Sequence, residues 1–113
     1  MASVIRKELL AATALTATSL GSEVTLEMGH LDFLAYQRVS ANNGTTTVTT
    51  VIEHSPDGTT WLTAGSFTAV VNVTSTQALT IDKLFPHVRH NAVLSGGPLS
   101  ATVEVALYMD RRK

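Results

Sequence analysis

The stretch His54-Ser55-Pro56-Asp57-Gly58-Thr59-Thr60-Trp61 constrains the fold more than any other. Pro56 presets φ for the first central position of a turn, Asp57 is able to hydrogen-bond the backbone around it, and Gly58 takes a positive φ without strain. Compact turn chemistry of this kind between two alternating runs indicates antiparallel β-structure. Trp61, the only tryptophan, enters the next strand, where a large ring is expected to anchor the core of a small domain.

The rest of the chain is a succession of short alternating runs separated by turn residues, the pattern of a sandwich or barrel. Val24, Leu26 and Met28 alternate with Glu23, Thr25 and Glu27, and Gly29 ends that run. Leu31, Phe33, Ala35 and Val39 share one face, with Asp32, Tyr36, Arg38 and Ser40 on the other. Ala41-Asn42-Asn43-Gly44 reads as a hairpin-type loop, because Asn-Gly readily takes left-handed backbone angles. Val48, Thr50 and Ile52 lead into the Ser55–Gly58 turn. Beyond Trp61, Phe67, Ala69, Val71 and Val73 alternate, followed by a short Leu79, Ile81 pair. Phe85-Pro86 precedes a run in which Val88, His90, Ala92 and Leu94 alternate with His87, Arg89, Asn91 and Val93. Ser95-Gly96-Gly97-Pro98 turns the chain, and Val103, Val105, Leu107 and Met109 form the inward face of a last, half-buried strand.

These runs predict an all-β chain: an antiparallel β-sandwich, Ig-like or jelly-roll-like, with seven to eight strands. At 113 residues it is one domain, large enough to bury a core of its own. Residues 1–20 are ambiguous: Ile5 and Leu9 have helical spacing, while Leu15-Thr16-Ala17-Thr18 suits a strand. They are expected to form an extended or partly strand-like N-terminal arm, leaving 21–113 as the sandwich. Ile5, Leu9, Leu10 and Leu15 of the arm, with Arg111 and Arg112 of the basic C-terminus, are the expected contacts to neighbouring subunits.

Charged residues are only 15% of the chain, against about 25% in typical domains. Threonine takes their place in Thr45-Thr46-Thr47, Thr49-Thr50 and Thr59-Thr60, and its β-branched side chain suits pleated sheet. Such a surface suits either one covered by partners or a plain neutral β-domain. A net charge of −1 points away from a general nucleic-acid or membrane binder. The absence of cysteine removes disulfides, thiolate metal sites and cysteine nucleophiles together. No segment has the ~18 apolar residues of a spanning helix. Arg6-Lys7 before Leu9-Leu10-Ala11-Ala12 imitates a signal peptide, but Glu8 and the threonines interrupt it, so secretion by that route is not expected.

Catalysis needs a constellation of groups, and the sequence supplies none of the usual ones. There is no G-x-S-x-G elbow, no Gly-rich phosphate loop and no H-E-x-x-H. His87 and His90 would share a face on a helix, but on a strand they point apart, which speaks against a metal pair. No catalytic, cofactor-binding or metal-binding residue is therefore assigned, and the chain is not expected to be an enzyme. Trp61, Tyr36 and Tyr108 offer a different possibility, an aromatic platform for sugar rings.

Several elements, in order, resemble a widespread group of small tailed-bacteriophage virion proteins. They are V-I-E-H-S-P-D-G-T-T-W at 51–61, Gly65-Ser66-Phe67-Thr68, Phe85-Pro86-His87-Val88-Arg89, and Ser95-Gly96-Gly97-Pro98-Leu99-Ser100-Ala101-Thr102-Val103. The opening, Glu8-Leu9-Leu10-Ala11-Ala12-Thr13-Ala14-Leu15-Thr16-Ala17-Thr18, is similar to the start of such proteins. S-x-D-G-x-x-W by itself also occurs in discoidin-type β-sandwiches. The resemblance implies a structural role in a virion assembled in the bacterial cytoplasm and leaves the station open among capsid shell, neck and tail. A small, charge-poor β-domain with a long N-terminal arm suits sitting on a shell and crossing subunit boundaries, so a capsid decoration protein that binds the major capsid protein is expected first. The implied alternative is a neck or tail ring, and a carbohydrate-binding sandwich for host attachment is a third reading. A homo-oligomer is expected, a trimer on the shell or a ring at the neck or tail.

Overall fold

A computed structural model describes residues 3–26 and 30–111. Its strands are β1 Ser3–Leu15, β2 Ser19–Leu20, β3 Val24–Thr25, β4 His30–Asn42, β5 Thr46–Ser55, β6 Leu62–Ser66, β7 Val70–Val71, β8 Ser75–Ile81, β9 His87–Gly96 and β10 Ala101–Arg111. Every regular element among the described residues is a strand, and every pairing is antiparallel. Glu27, Met28 and Gly29, expected to continue and end the run from Val24, lie outside the described residues, as does Arg112.

One sheet has the order β1-β10-β4-β8, the other β2-β9-β5-β6, with β3 also on β9 and β7 also on β5. Since β2 and β3 both lie along β9, and β6 and β7 both along β5, the ten segments occupy eight strand positions. That order, with successive positions distributed over two sheets, is the jelly roll. The Ig-like alternative would pair the last two strands with each other. Here β9 and β10 lie in different sheets.

The alternation explains which side of each strand is buried. Phe33, Ala35 and Val39 of β4 and Val103, Val105, Leu107 and Met109 of β10 face Val48 and Ile52 of β5 and Val88, Ala92 and Leu94 of β9 in one core. Fully burying a Val or Leu contributes about 1.5–3 kcal/mol, so this layer supplies the main driving force. Threonine suits β5 because its branched side chain packs on a pleated surface even at buried positions such as Thr46 and Thr50.

The alternation fails after Trp61. Phe67 and Val70 are buried, whereas Val71 and Val73 are exposed. Phe67 still donates its N–H to the Thr50 carbonyl at 3.0 Å, but residues 68–69 leave the ladder, and there the Gln77 side chain stands in for a strand. Its Oε1 accepts the Thr68 N–H at 2.9 Å and its Nε2 donates to the Thr68 carbonyl at 2.8 Å. The interruption shifts the inward phase from the odd positions to Val70.

The N-terminal segment is extended, and it belongs to the sandwich. β1 lies along β10 from Ser3↔Arg111 to Leu15↔Ala101 as an edge of the four-stranded sheet. A register shift between Glu8 and Leu10 lets the consecutive Leu9 and Leu10 both reach the core, as a bulge does.

Two turns are corners between the sheets, and the first of them, at Asn43-Gly44, is not the hairpin its residues suggest. Residues 43–45 join β4 of one sheet to β5 of the other, and residues 97–100 join β9 to β10. Gly44 takes φ +87° as Asn-Gly chemistry demands. Asn43 ties the corners together: its Oδ1 accepts the Thr45 N–H at 3.0 Å, and its Nδ2 donates to the Pro98 carbonyl at 2.8 Å.

Gln37 of β4 is fully buried, and among the described residues neither its Nε2 nor its Oε1 has a hydrogen-bond partner. An unpaired buried amide costs about 1–3 kcal/mol, and methionine nearly preserves its shape. Gln37→Met is therefore expected to raise unfolding stability by about 1–2 kcal/mol. A urea melt that finds the variant less stable than the parent would contradict this.

Candidate functional site

The Ser55–Thr60 turn is built as its residue types require. Ser55 Oγ accepts the Gly58 N–H at 2.9 Å, and Asp57 Oδ1 accepts the N–H groups of Thr59 at 2.9 Å and Thr60 at 2.8 Å. Gly58 takes φ +81°. Donation by Thr60, then Thr59, then the Ser55 hydroxyl holds the Asp57 carboxyl well below the usual carboxylate range. Pro56, Asp57 and Gly58 thus shape the β5–β6 hairpin.

The turn delivers Trp61 to the outer face of the six-stranded sheet, a correction to its expected place in the core. Trp61 is half-buried, with the Arg89 guanidinium carbon 4.1 Å from its ring centroid. Arg89 Nε in turn donates to Glu53 Oε1 at 2.7 Å. The cation–π attraction and the arginine stem cover one face of the ring, which offsets its remaining exposure. Glu53 and Arg89 are direct cross-strand partners, so the array depends on the β5–β9 register. No sequence spacing of a single strand signals it.

The same outer face changes character along its length. Beyond the Glu53–Arg89 pair come the cross-strand pairs Val51↔Asn91, Thr49↔Val93 and Thr47↔Ser95. Leu20 sits beside Asn91 and Val71 beside Thr47, completing a patch whose named positions carry no charge. Leu20 is 56% exposed, Val71 54% and Val93 43%. The outer face of the four-stranded sheet differs. There Arg6 bridges Glu104 at 2.6 Å, Glu8 at 3.0 Å and the Tyr108 hydroxyl at 3.0 Å. Tyr108 meets Tyr36 edge-on at 6.3 Å, so these charges and rings already satisfy one another.

The histidines have structural partners. His54 Nδ1 accepts the Phe85 N–H at 3.0 Å, and burial lowers its affinity for a proton. With Lys83, Leu84 and Phe85 it lines a small groove. His90 is 2% exposed; its Nδ1 donates to the Leu9 carbonyl at 3.1 Å, and its Nε2 accepts from Ser19 Oγ at 3.0 Å. His87 lies on the opposite face of β9 and pairs with Glu23.

Of the expected contact residues, Ile5, Leu9, Leu10 and Leu15 are partly buried and pack against the core of their own chain. That leaves each only part of its apolar surface for a neighbour. Arg111 is the last residue of β10. Among the described residues no cluster of three or more His, Asp or Glu side chains is positioned to hold a metal ion. No family model matches the chain, and no curated protein matches it.

Proposed function

We propose that this chain is a structural component of a phage virion, a capsid decoration protein that binds and stabilises the assembled shell. The observation that supports this most is the outer face of the six-stranded sheet. A patch of Leu20, Val51, Val71, Val93 and threonines adjoins a half-buried Trp–Arg pair. Interface centres are depleted in charge and enriched in Trp and Arg, the composition found there. The jelly roll is also used in viral capsid and lectin domains, which is an analogy of fold. The run from Val51 to Trp61 that resembles virion proteins builds the second half of β5 and its turn, which carry Val51, Glu53 and Trp61 of this face.

A protein that binds only the assembled lattice shifts the equilibrium toward the intact shell, and many copies multiply small contacts. Purified protein is expected to co-sediment with expanded capsids of the phage that encodes it. Val93→Lys, at an exposed position, is expected to weaken that binding by about tenfold or more, since it places an unpaired charge in the contact. Unchanged co-sedimentation of Val93→Lys and Leu20→Lys would remove this face from the proposal. A neck or tail ring is the alternative station, distinguished by copy number.

A further inference from the structure

We infer that β8 is a strand-pairing edge, and that a second copy of this chain adds to it antiparallel about a two-fold axis at Ala78. The inference rests on a contrast among the sheet edges and not on the virion reading.

Exposed edges offer unpaired N–H and C=O groups, and proteins block them with short strands, bulges and inward-pointing charges. The other edges carry these devices. β1 sets Lys7 opposite the buried Leu107, and its register with β10 shifts twice. β2 and β3 have two residues each. β6 has five, and its register with β5 shifts between Ile52 and Glu53. β8 has none of them. Its seven residues, Ser-Thr-Gln-Ala-Leu-Thr-Ile, include no charge, proline or glycine. Its register with β4 runs unbroken from Phe33↔Ile81 to Val39↔Ser75. Among the described residues, backbone hydrogen bonding to β8 comes only through its ladder with β4.

The occupant follows from the symmetry of this segment. Antiparallel pairing of β8 with itself keeps outward side chains together only when the register preserves the two-residue period. Centring on Ala78 satisfies that condition and is the one register that pairs all seven residues. It sets Ala78 against Ala78, Thr76 against Thr80 and Gln77 against Leu79, with no like charges opposed. Thr–Thr cross-strand pairs are favourable, and Thr76, Ala78 and Thr80 are all exposed in the single chain. The two four-stranded sheets would join into one continuous sheet, a homotypic case of β-strand addition.

The chain contains no cysteine, so single introduced thiols report the register cleanly. At about 0.1 mM, a concentration that populates even weak contacts, sedimentation is expected to show a dimer of the 12.0 kDa chain. Ala78→Cys is expected to cross-link to a dimer with a short thiol-reactive linker. Thr76→Cys is not expected to do so alone, but combined with Thr80→Cys it is. Ala78→Lys, which opposes two cations at the axis, should weaken the dimer by about tenfold or more while leaving the circular dichroism spectrum intact. A monomer at that concentration would overturn the inference, including the case in which another protein's strand occupies the edge. Equal cross-linking from Thr76→Cys alone, or a dimer indifferent to Ala78→Lys, would overturn it too.

Discussion

Gly96→Ala is expected to destabilise the protein by about 3 kcal/mol or more, enough to leave a marginally stable domain largely unfolded. Gly96 ends β9 at φ +97°, a conformation that L side chains rarely adopt. A Cβ there would lie 2.3 Å from the backbone oxygen of Thr45. A flexible side chain could move aside, but this oxygen belongs to an anchored corner. The Thr45 N–H is held by Asn43 Oδ1, and its hydroxyl donates to the Pro98 carbonyl at 2.8 Å. Gly97 is the matched control, since a Cβ there meets nothing within 4 Å. Gly97→Ala is expected to change stability by less than about 1 kcal/mol. Urea melts of the two variants decide the matter; equal losses would show that residues 43–46 do not confine Gly96.

His90→Ala is expected to cost about 3 kcal/mol, through a cavity between the sheets and an unpaired Leu9 carbonyl. His90 belongs to β9 of one sheet yet bonds Leu9 of β1 in the other and Ser19 of β2. Its loss would therefore loosen the N-terminal strands first, as faster amide exchange along β1 and β2. The same residue gives the protein an acid sensitivity. Burial lowers the proton affinity of His90 and of His54 below the ordinary value of 6.5, so the unfolded chain takes up these protons more readily. Their stabilising contribution is complete above that value and is lost as pH falls from it toward their folded values. The melting temperature should drop as pH falls below about 6.5, and His90→Ala should flatten the drop. An unchanged slope in the variant would show that His90 is not one of the groups responsible.

What the sequence reveals differs from element to element for physical reasons. β10 and β9 were legible because a strand with one buried face writes its period directly into Val103, Val105, Leu107 and Met109, and into Val88, His90, Ala92 and Leu94. The Asp57 turn was legible because each of its bonds is local. Asn43-Gly44 marked a turn correctly, yet turn chemistry does not say whether the flanking strands pair, so a corner between sheets read as a hairpin. The phase after Phe67 was lost because Gln77, nine residues beyond Thr68, takes the place of a ladder. Trp61 was misplaced for a related reason. What draws its ring to the outer face is Arg89, brought there by a cross-strand register that no single run encodes. The uncharged patch of Leu20, Val71 and Val93 draws on three strands far apart in the chain, so composition hinted at its chemistry without giving its place.

The proposal that this chain decorates a phage capsid is tested most directly by its copy number in purified particles of the phage proposed to carry it. Quantitative mass spectrometry against the major capsid protein would supply it. A shell decoration protein is expected in the hundreds, in fixed ratio to the capsid protein. A count of about a dozen or fewer would place the chain in a neck or tail ring instead. Its absence from particles would contradict the virion role altogether.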